Sequence, residues 1–161
     1  MQIKEYTQLW SLDLKWQLFF YIALFTGARR GEIVSLLWSD IDFSKNTIRF
    51  SKSTANVNGH VIHKETKTYA TRQCAVPDIV IATARKLLKE QKQICLQLGD
   101  YWKGSRGKQF RDNFVFIRED GAQMHIDSPR TEFKRVIRIY NTNIAKDESE
   151  MIPDNLTLHD L

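Results

Sequence analysis

Eight consecutive apolar residues, Leu18 to Phe25, constrain this chain more than any other feature of its sequence. With Leu14 and Trp16 before them, they predict a helix from Asp13 to Phe25 that is apolar on every side, and only a buried position suits such a helix. Gly27 is the natural stop. The rest of the chain must therefore wrap around one central helix. The run is far short of the roughly 18 residues that cross a bilayer, and no basic-then-apolar leader precedes it. The expectation is a cytoplasmic protein without a membrane partner. At 161 residues and 42% apolar content the chain can build one core, and 11% aromatic content excludes a disordered tail.

The remaining periodicities supply the wrapping. Arg30 to Trp38 carries Ile33, Leu36 and Leu37 at helical spacing, a second and shorter helix after a tight joint. Thr47 to Ser51, His60 to Lys64 and Arg72 to Val76 read as extended, with turn chemistry at Asn56 to Gly59 and Pro77 closing the run. Pro77-Asp78 opens a long helix with Val80, Ala84, Leu87, Leu88, Ile94, Cys95 and Leu98 on one face and Gly99 as its stop. A basic loop, Tyr101 to Asn113, and a short extended piece, Phe114 to Ile117, lead to the Asp120-Gly121 turn. Ser128-Pro129 starts a last helix with Phe133, Val136, Ile137 and Tyr140 inward. The predicted fold is mainly α with a small three-stranded antiparallel β-sheet, an α+β domain.

Twenty-four Lys and Arg against 19 Asp and Glu give a net charge of +5, a mild lean toward polyanionic partners. The excess is clustered. Lys45, Arg49, Lys52, Lys64, Lys67 and Arg72 face only Glu65 between Ser44 and Cys74. Lys103, Arg106, Lys108, Arg111 and Arg118 face only Asp112 between Tyr101 and Arg118. From Ala145 onward the balance reverses, with Lys146 against Asp147, Glu148, Glu150, Asp154 and Asp160. Two cysteines, Cys74 and Cys95, are too few for a disulfide framework and suit free thiols. His60 and His63 stand three apart on an extended segment and so point to opposite faces, which argues against a metal site. No Gly-rich phosphate loop, Gly-x-Ser-x-Gly or paired-carboxylate motif occurs.

Thr26-Gly27-Ala28-Arg29-Arg30-Gly31-Glu32 puts an arginine at a helix start behind a glycine, a joint that can hold a guanidinium rigidly against phosphate oxygens. The same arginine could instead pair with Glu32 across one helical turn. Downstream lie Leu36 to Asp42, then Glu65-Thr66-Lys67-Thr68 with Arg72 and Val76-Pro77, and finally Leu156-Thr157-Leu158-His159-Asp160-Leu161. In these segments the sequence resembles the tyrosine recombinase (phage integrase) family. The Thr-Gly-x-Arg-x-x-Glu segment matches at Thr26, Gly27, Arg29 and Glu32, the hairpin lysine at Lys67, and the His box at His159. The resemblance implies a catalytic role for Arg29, Lys67 and His159, with Glu32 in support. Lys64 is the other lysine that the hairpin offers.

By the same resemblance the full-length enzyme cleaves and rejoins double-stranded DNA through a 3′-phosphotyrosyl intermediate, needs no metal or nucleotide cofactor, and works as a tetramer on DNA. The family's second arginine and nucleophilic tyrosine follow the His box, and none of Tyr6, Tyr21, Tyr69, Tyr101 or Tyr140 matches that tyrosine. Residues 1–161 are thus expected to form a single catalytic domain, incomplete at its C-terminus and without the family's N-terminal core-binding domain, monomeric and inactive in isolation. For DNA contact the candidates are Arg130, Lys134 and Arg138, a stripe recurring at four along the last helix, together with Lys64 and Arg72. The alternative readings are a non-catalytic DNA-binding module or decayed integrase remnant, and a basic helical domain with a protein partner.

Overall fold

A computed structural model describes residues 13–57, 60–65, 71–153 and 155–157. The apolar run forms helix α1 (Leu14–Thr26), in which six successive residues, Leu18 to Ala23, are buried, so all sides of the helix face protein. Gly27 ends it in the left-handed region at φ 59°, its N–H donating to the Ala23 carbonyl at 3.0 Å. Phe19 meets Phe116 edge-on at 5.3 Å and Phe20 meets Phe133 at 6.0 Å, which brings two later segments against α1. Each such buried aromatic contributes about 1.5–3 kcal/mol over an exposed one.

Helix α2 (Arg30–Val34) is shorter than its sequence pattern predicts, because Ser35 ends it. The Ser35 hydroxyl donates back to the Gly31 carbonyl at 2.7 Å and lies 2.6 Å from Thr54 Oγ1, and Leu37 then bridges to Phe114. A 3-10 turn, Trp38–Asp40, follows and buries Trp38 completely.

The three-stranded antiparallel sheet is present, but its membership differs from the expectation. Strands β1 (Ile41–Asp42), β2 (Thr47–Phe50) and β5 (Arg72–Ala75) form it, with β2 in the middle and Ile48 paired with both Ile41 and Cys74. Strands β3 (Lys52–Val57) and β4 (His60–Glu65) form a separate two-stranded hairpin, from Lys52↔Glu65 to Val57↔His60. The His60–Lys64 segment thus pairs with a polar strand that shows little alternation, while the buried Ile41 claims the edge of the sheet. Only Ser51 separates β2 from β3, so the hairpin leaves the sheet by a bend in one continuous chain.

Helix α3 (Asp78–Leu98) starts after Pro77 and stops at Gly99, both as predicted. Its buried face includes two polar residues, Thr83, which donates to the Ile79 carbonyl at 2.8 Å, and Gln91, which accepts from Trp38 Nε1 at 2.9 Å and donates to the Val115 carbonyl at 2.8 Å. Phe114 to Ile117 forms only the isolated bridges Leu37↔Phe114 and Ile117↔Gln123 rather than a strand; the 3-10 turn Gly99–Tyr101 leads into the basic loop, which contains a second, Gly107–Asp112. Helix α4 (Ser128–Asn143) buries Phe133, Ile137 and Tyr140 and leaves Arg130 and Arg138 exposed. Cys74 and Cys95 are free thiols. Among the described residues no helix is long and apolar enough to cross a membrane.

Candidate functional site

The joint between α1 and α2 is built around one carboxylate. Glu32 Oε2 accepts the Arg29 backbone N–H at 2.7 Å and Arg72 Nη2 at 3.1 Å. The Glu32 side chain is 18% exposed and that of Arg72 41%, so the pair sits at the edge of the protein and its net worth is at most about 1 kcal/mol. Its positional effect is larger. Arg72 also donates to the Thr26 carbonyl at 3.4 Å and stacks its guanidinium 4.9 Å from the Phe50 ring centre. Thr26 Oγ1 accepts the Ala28 N–H at 3.2 Å. Strand β5, the end of α1 and the start of α2 are thereby tied together, and the exposed Arg29 side chain projects from the middle of that knot.

The hairpin approaches the joint from another direction. A Cβ built on Gly31 would lie 2.3 Å from the Thr54 carbonyl oxygen and 2.8 Å from Ser53 Oγ, so only glycine lets α2 touch β3 this closely. Gln123 Nε2 reinforces the contact, donating to Thr54 Oγ1 at 3.1 Å and to the Val34 carbonyl at 3.2 Å.

A cleft of about 440 Å³ opens beside Arg29's neighbour Arg30. Arg130, Phe133 and Lys134 of α4 line one side of it and Asn155 to Thr157 another. Arg30 Nη1 pairs with Asp127 Oδ1 at 3.2 Å, linking α2 to the residue that precedes α4. Three cations over a partly apolar floor can receive an anion whose oxygens are spread over several ångströms, as on a phosphodiester chain.

The structure therefore brings Arg29, Glu32 and Arg72 together, and brings Arg130 and Lys134 to the cleft beside them. Arg138 is exposed two turns further along α4. Lys67 and His159 lie outside the described residues; their described flanks are Glu65 and Thr71 for the one and Thr157 for the other. Lys64 lies in β4, opposite Ser53. The guanidinium of Arg72, a DNA-contact candidate in sequence, is engaged by Glu32 and Thr26. Sequence reasoning missed Arg30 and Asp127, and the signal was slight: an arginine next to Arg29 and an Asp before a Ser-Pro helix start. Among the described residues no cluster of three His, Cys, Asp or Glu side chains could hold a metal ion.

Comparison with known proteins adds to this geometry. The model of the phage integrase family matches residues 1–161. No curated protein matches the chain. Among solved structures it is similar to the Tn1549 transposon integrase in complex with transposon right end DNA, at 22% identity and a TM-score of 0.75 over 99% of this chain and 48% of that one. It is similar, too, to the same integrase in complex with circular intermediate DNA, at 21% identity and a TM-score of 0.75 over 99% of this chain and 49% of that one. These likenesses are of fold, and the chain spans about half the length of those structures. With the family's motifs in order along the sequence and its model matched from end to end, the chain belongs to the phage integrase family.

Proposed function

We propose that residues 1–161 form a catalytic domain of a site-specific DNA recombinase, which cleaves and rejoins duplex DNA through a 3′-phosphotyrosyl intermediate in integration and recombination. The observation that carries this reading is the double use of Glu32, which fixes the Arg29 backbone and Arg72 at one carboxylate oxygen and leaves the Arg29 guanidinium exposed. A guanidinium presented from a fixed stretch of backbone suits the charge that develops when a tyrosine oxygen attacks phosphorus. Lys67 donates the proton to the leaving 5′ oxygen, and His159 orients or exchanges a proton on the phosphate. Arg72, directly beyond the Lys67 segment, is hydrogen-bonded to the Arg29 joint, and Thr157, close before His159, lines the cleft beside Arg30; both facts support grouping the three residues. The phosphotyrosyl bond conserves the energy of the broken one, so rejoining needs no nucleotide and no metal.

Lys134 extends the phosphate surface along α4, and Arg130 in the N-terminal turn of that helix reads base edges. Tyr21 and Tyr140 are buried in the core, which suits neither as nucleophile. With no tyrosine that matches the family's nucleophile, the 161-residue chain alone binds duplex DNA as a monomer in dilute solution and forms no covalent adduct, while the complete enzyme acts as a tetramer. The test is duplex binding across a salt series. Affinity should fall steeply with salt, and Arg29→Ala should lower the slope of log K against log[salt] by about 0.9, one phosphate contact. Binding insensitive to salt, or an Arg29→Ala variant with unchanged affinity and slope, would overturn the reading.

A further inference from the structure

The side of α3 away from the core carries a surface that shares no residue with the Arg29 joint or the cleft beside it. Arg85, Lys89, Lys92 and Leu96 recur at four, three and four residues, one stripe along the helix. They border a groove of about 470 Å³ floored by Phe43 and Leu88. Leu96 is 83% exposed, the most exposed large apolar side chain among the described residues. Arg85 is held in place over Phe43, 5.0 Å from the ring centre, with Nη2 donating to the Phe43 carbonyl at 2.8 Å. No carboxylate of a described residue pairs with Arg85, Lys89 or Lys92.

The same chain carries the complementary surface. After α4, Asp147, Glu148 and Glu150 occur within four residues, followed by Met151, which is 47% exposed. None of these carboxylates pairs with a described cation either. The loop is pre-shaped. Asp147 Oδ1 accepts the Ser149 N–H at 2.9 Å, Glu150 Oε2 accepts the Lys146 N–H at 3.0 Å, and Asn141 clamps Ile152 through two hydrogen bonds of 2.8 Å.

We propose that the α3 groove receives the Asp147–Met151 loop of a second copy of this chain, the carboxylates meeting Lys89 and Lys92 and Met151 covering Leu96. The two patches differ, so the contact is head-to-tail, and each copy keeps a free groove or a free loop for the next. Phosphate could answer the cations but would leave Leu96 and Leu88 uncovered, which favours a protein occupant over DNA. The contact is weak in free solution, where two chains of net charge +5 repel overall, and gains from any scaffold that concentrates copies.

The experiment is sedimentation equilibrium of the chain at near-millimolar concentration without DNA, at low and high salt. The wild type should associate at low salt and return to monomer at high salt. Groove variant Lys89→Glu/Lys92→Glu and loop variant Glu148→Lys/Glu150→Lys should each associate roughly tenfold or more weakly, since like charges then meet. An equimolar mixture of the two should associate again, because one variant's groove matches the other's loop. A strictly monomeric wild type, or variants whose mixture stays monomeric, would overturn the proposal. So would a groove variant that self-associates like the wild type and loses duplex affinity instead, which would assign α3 to DNA. Circular dichroism on both variants separates a lost contact from a lost fold.

Discussion

Replacing Gly31 with alanine should loosen the joint that presents Arg29. The added Cβ would stand 2.3 Å from the Thr54 carbonyl oxygen, backbone that cannot rotate away, so α2 and β3 must separate by about 1 Å to reach ordinary contact. Such overpacking costs about 1–3 kcal/mol. Alanine's better helix propensity returns at most about 1 kcal/mol, leaving a net loss of about 1–2 kcal/mol. The separation also pulls Ser35 Oγ away from Thr54 Oγ1, now 2.6 Å apart. For a domain of this size the loss corresponds to a fall in Tm of about 2–8 °C, readable by calorimetry or urea unfolding. Gly27→Ala is the control. Nothing lies within 4 Å of its Cβ position, so it pays only for the left-handed backbone at φ 59°, about 1–2 kcal/mol, without moving the hairpin. Duplex affinity should therefore fall in Gly31→Ala and hold in Gly27→Ala. A Gly31→Ala protein as stable as the wild type, with unchanged affinity, would show that β3 does not seat against α2.

Three further outcomes follow from other contacts. Trp38→Phe removes the donor to Gln91 Oε1 and leaves an acceptor unpaired in a fully buried site, so urea unfolding should show a loss of about 2–4 kcal/mol, and a loss below about 1 kcal/mol would contradict the role of that bond. In the complete enzyme Arg130→Ala should relax sequence preference by about 1–3 kcal/mol at one base pair while Lys134→Ala weakens all duplexes alike; equal weakening of target and random DNA by Arg130→Ala would leave it a phosphate contact only. The hydrogen bond from Lys103, then that from the Ala122 backbone, hold the Asp120 carboxyl below its ordinary 3.8. Its folded value being the lower one, it adds stability at neutral pH that is lost as pH falls through that value, so Asp120→Asn should flatten the acid limb of a stability–pH curve below about pH 4, and an unchanged limb would contradict this.

Helices were legible where periodicity and stop signals coincided. The apolar run and Gly27 bounded α1, and Pro77 and Gly99 bounded α3 to the residue. The strand Lys52–Val57 was not legible, because its polar residues lack alternation and its partner is set by the bend at Ser51. The end of α2 at Val34 depends on a serine bonding back to Gly31, a tertiary choice that apolar spacing cannot reveal. Near the joint, the closeness of Arg29 and Glu32 was readable from their spacing across one helical turn. The commitment of Arg72 to Glu32 was not, since it joins residues 40 apart, nor was the Arg30–Asp127 pair that links α2 to α4.

The most direct test of the central claim is to incubate the gene's complete product with a nicked suicide duplex that traps the strand-cleavage intermediate. The account predicts a covalent protein–DNA adduct resistant to denaturant, its loss by at least about a hundredfold in Arg29→Ala with the fold retained, and no adduct from the 161-residue chain. An adduct formed as readily by Arg29→Ala, or none from the complete wild-type protein on any bound duplex, would contradict it.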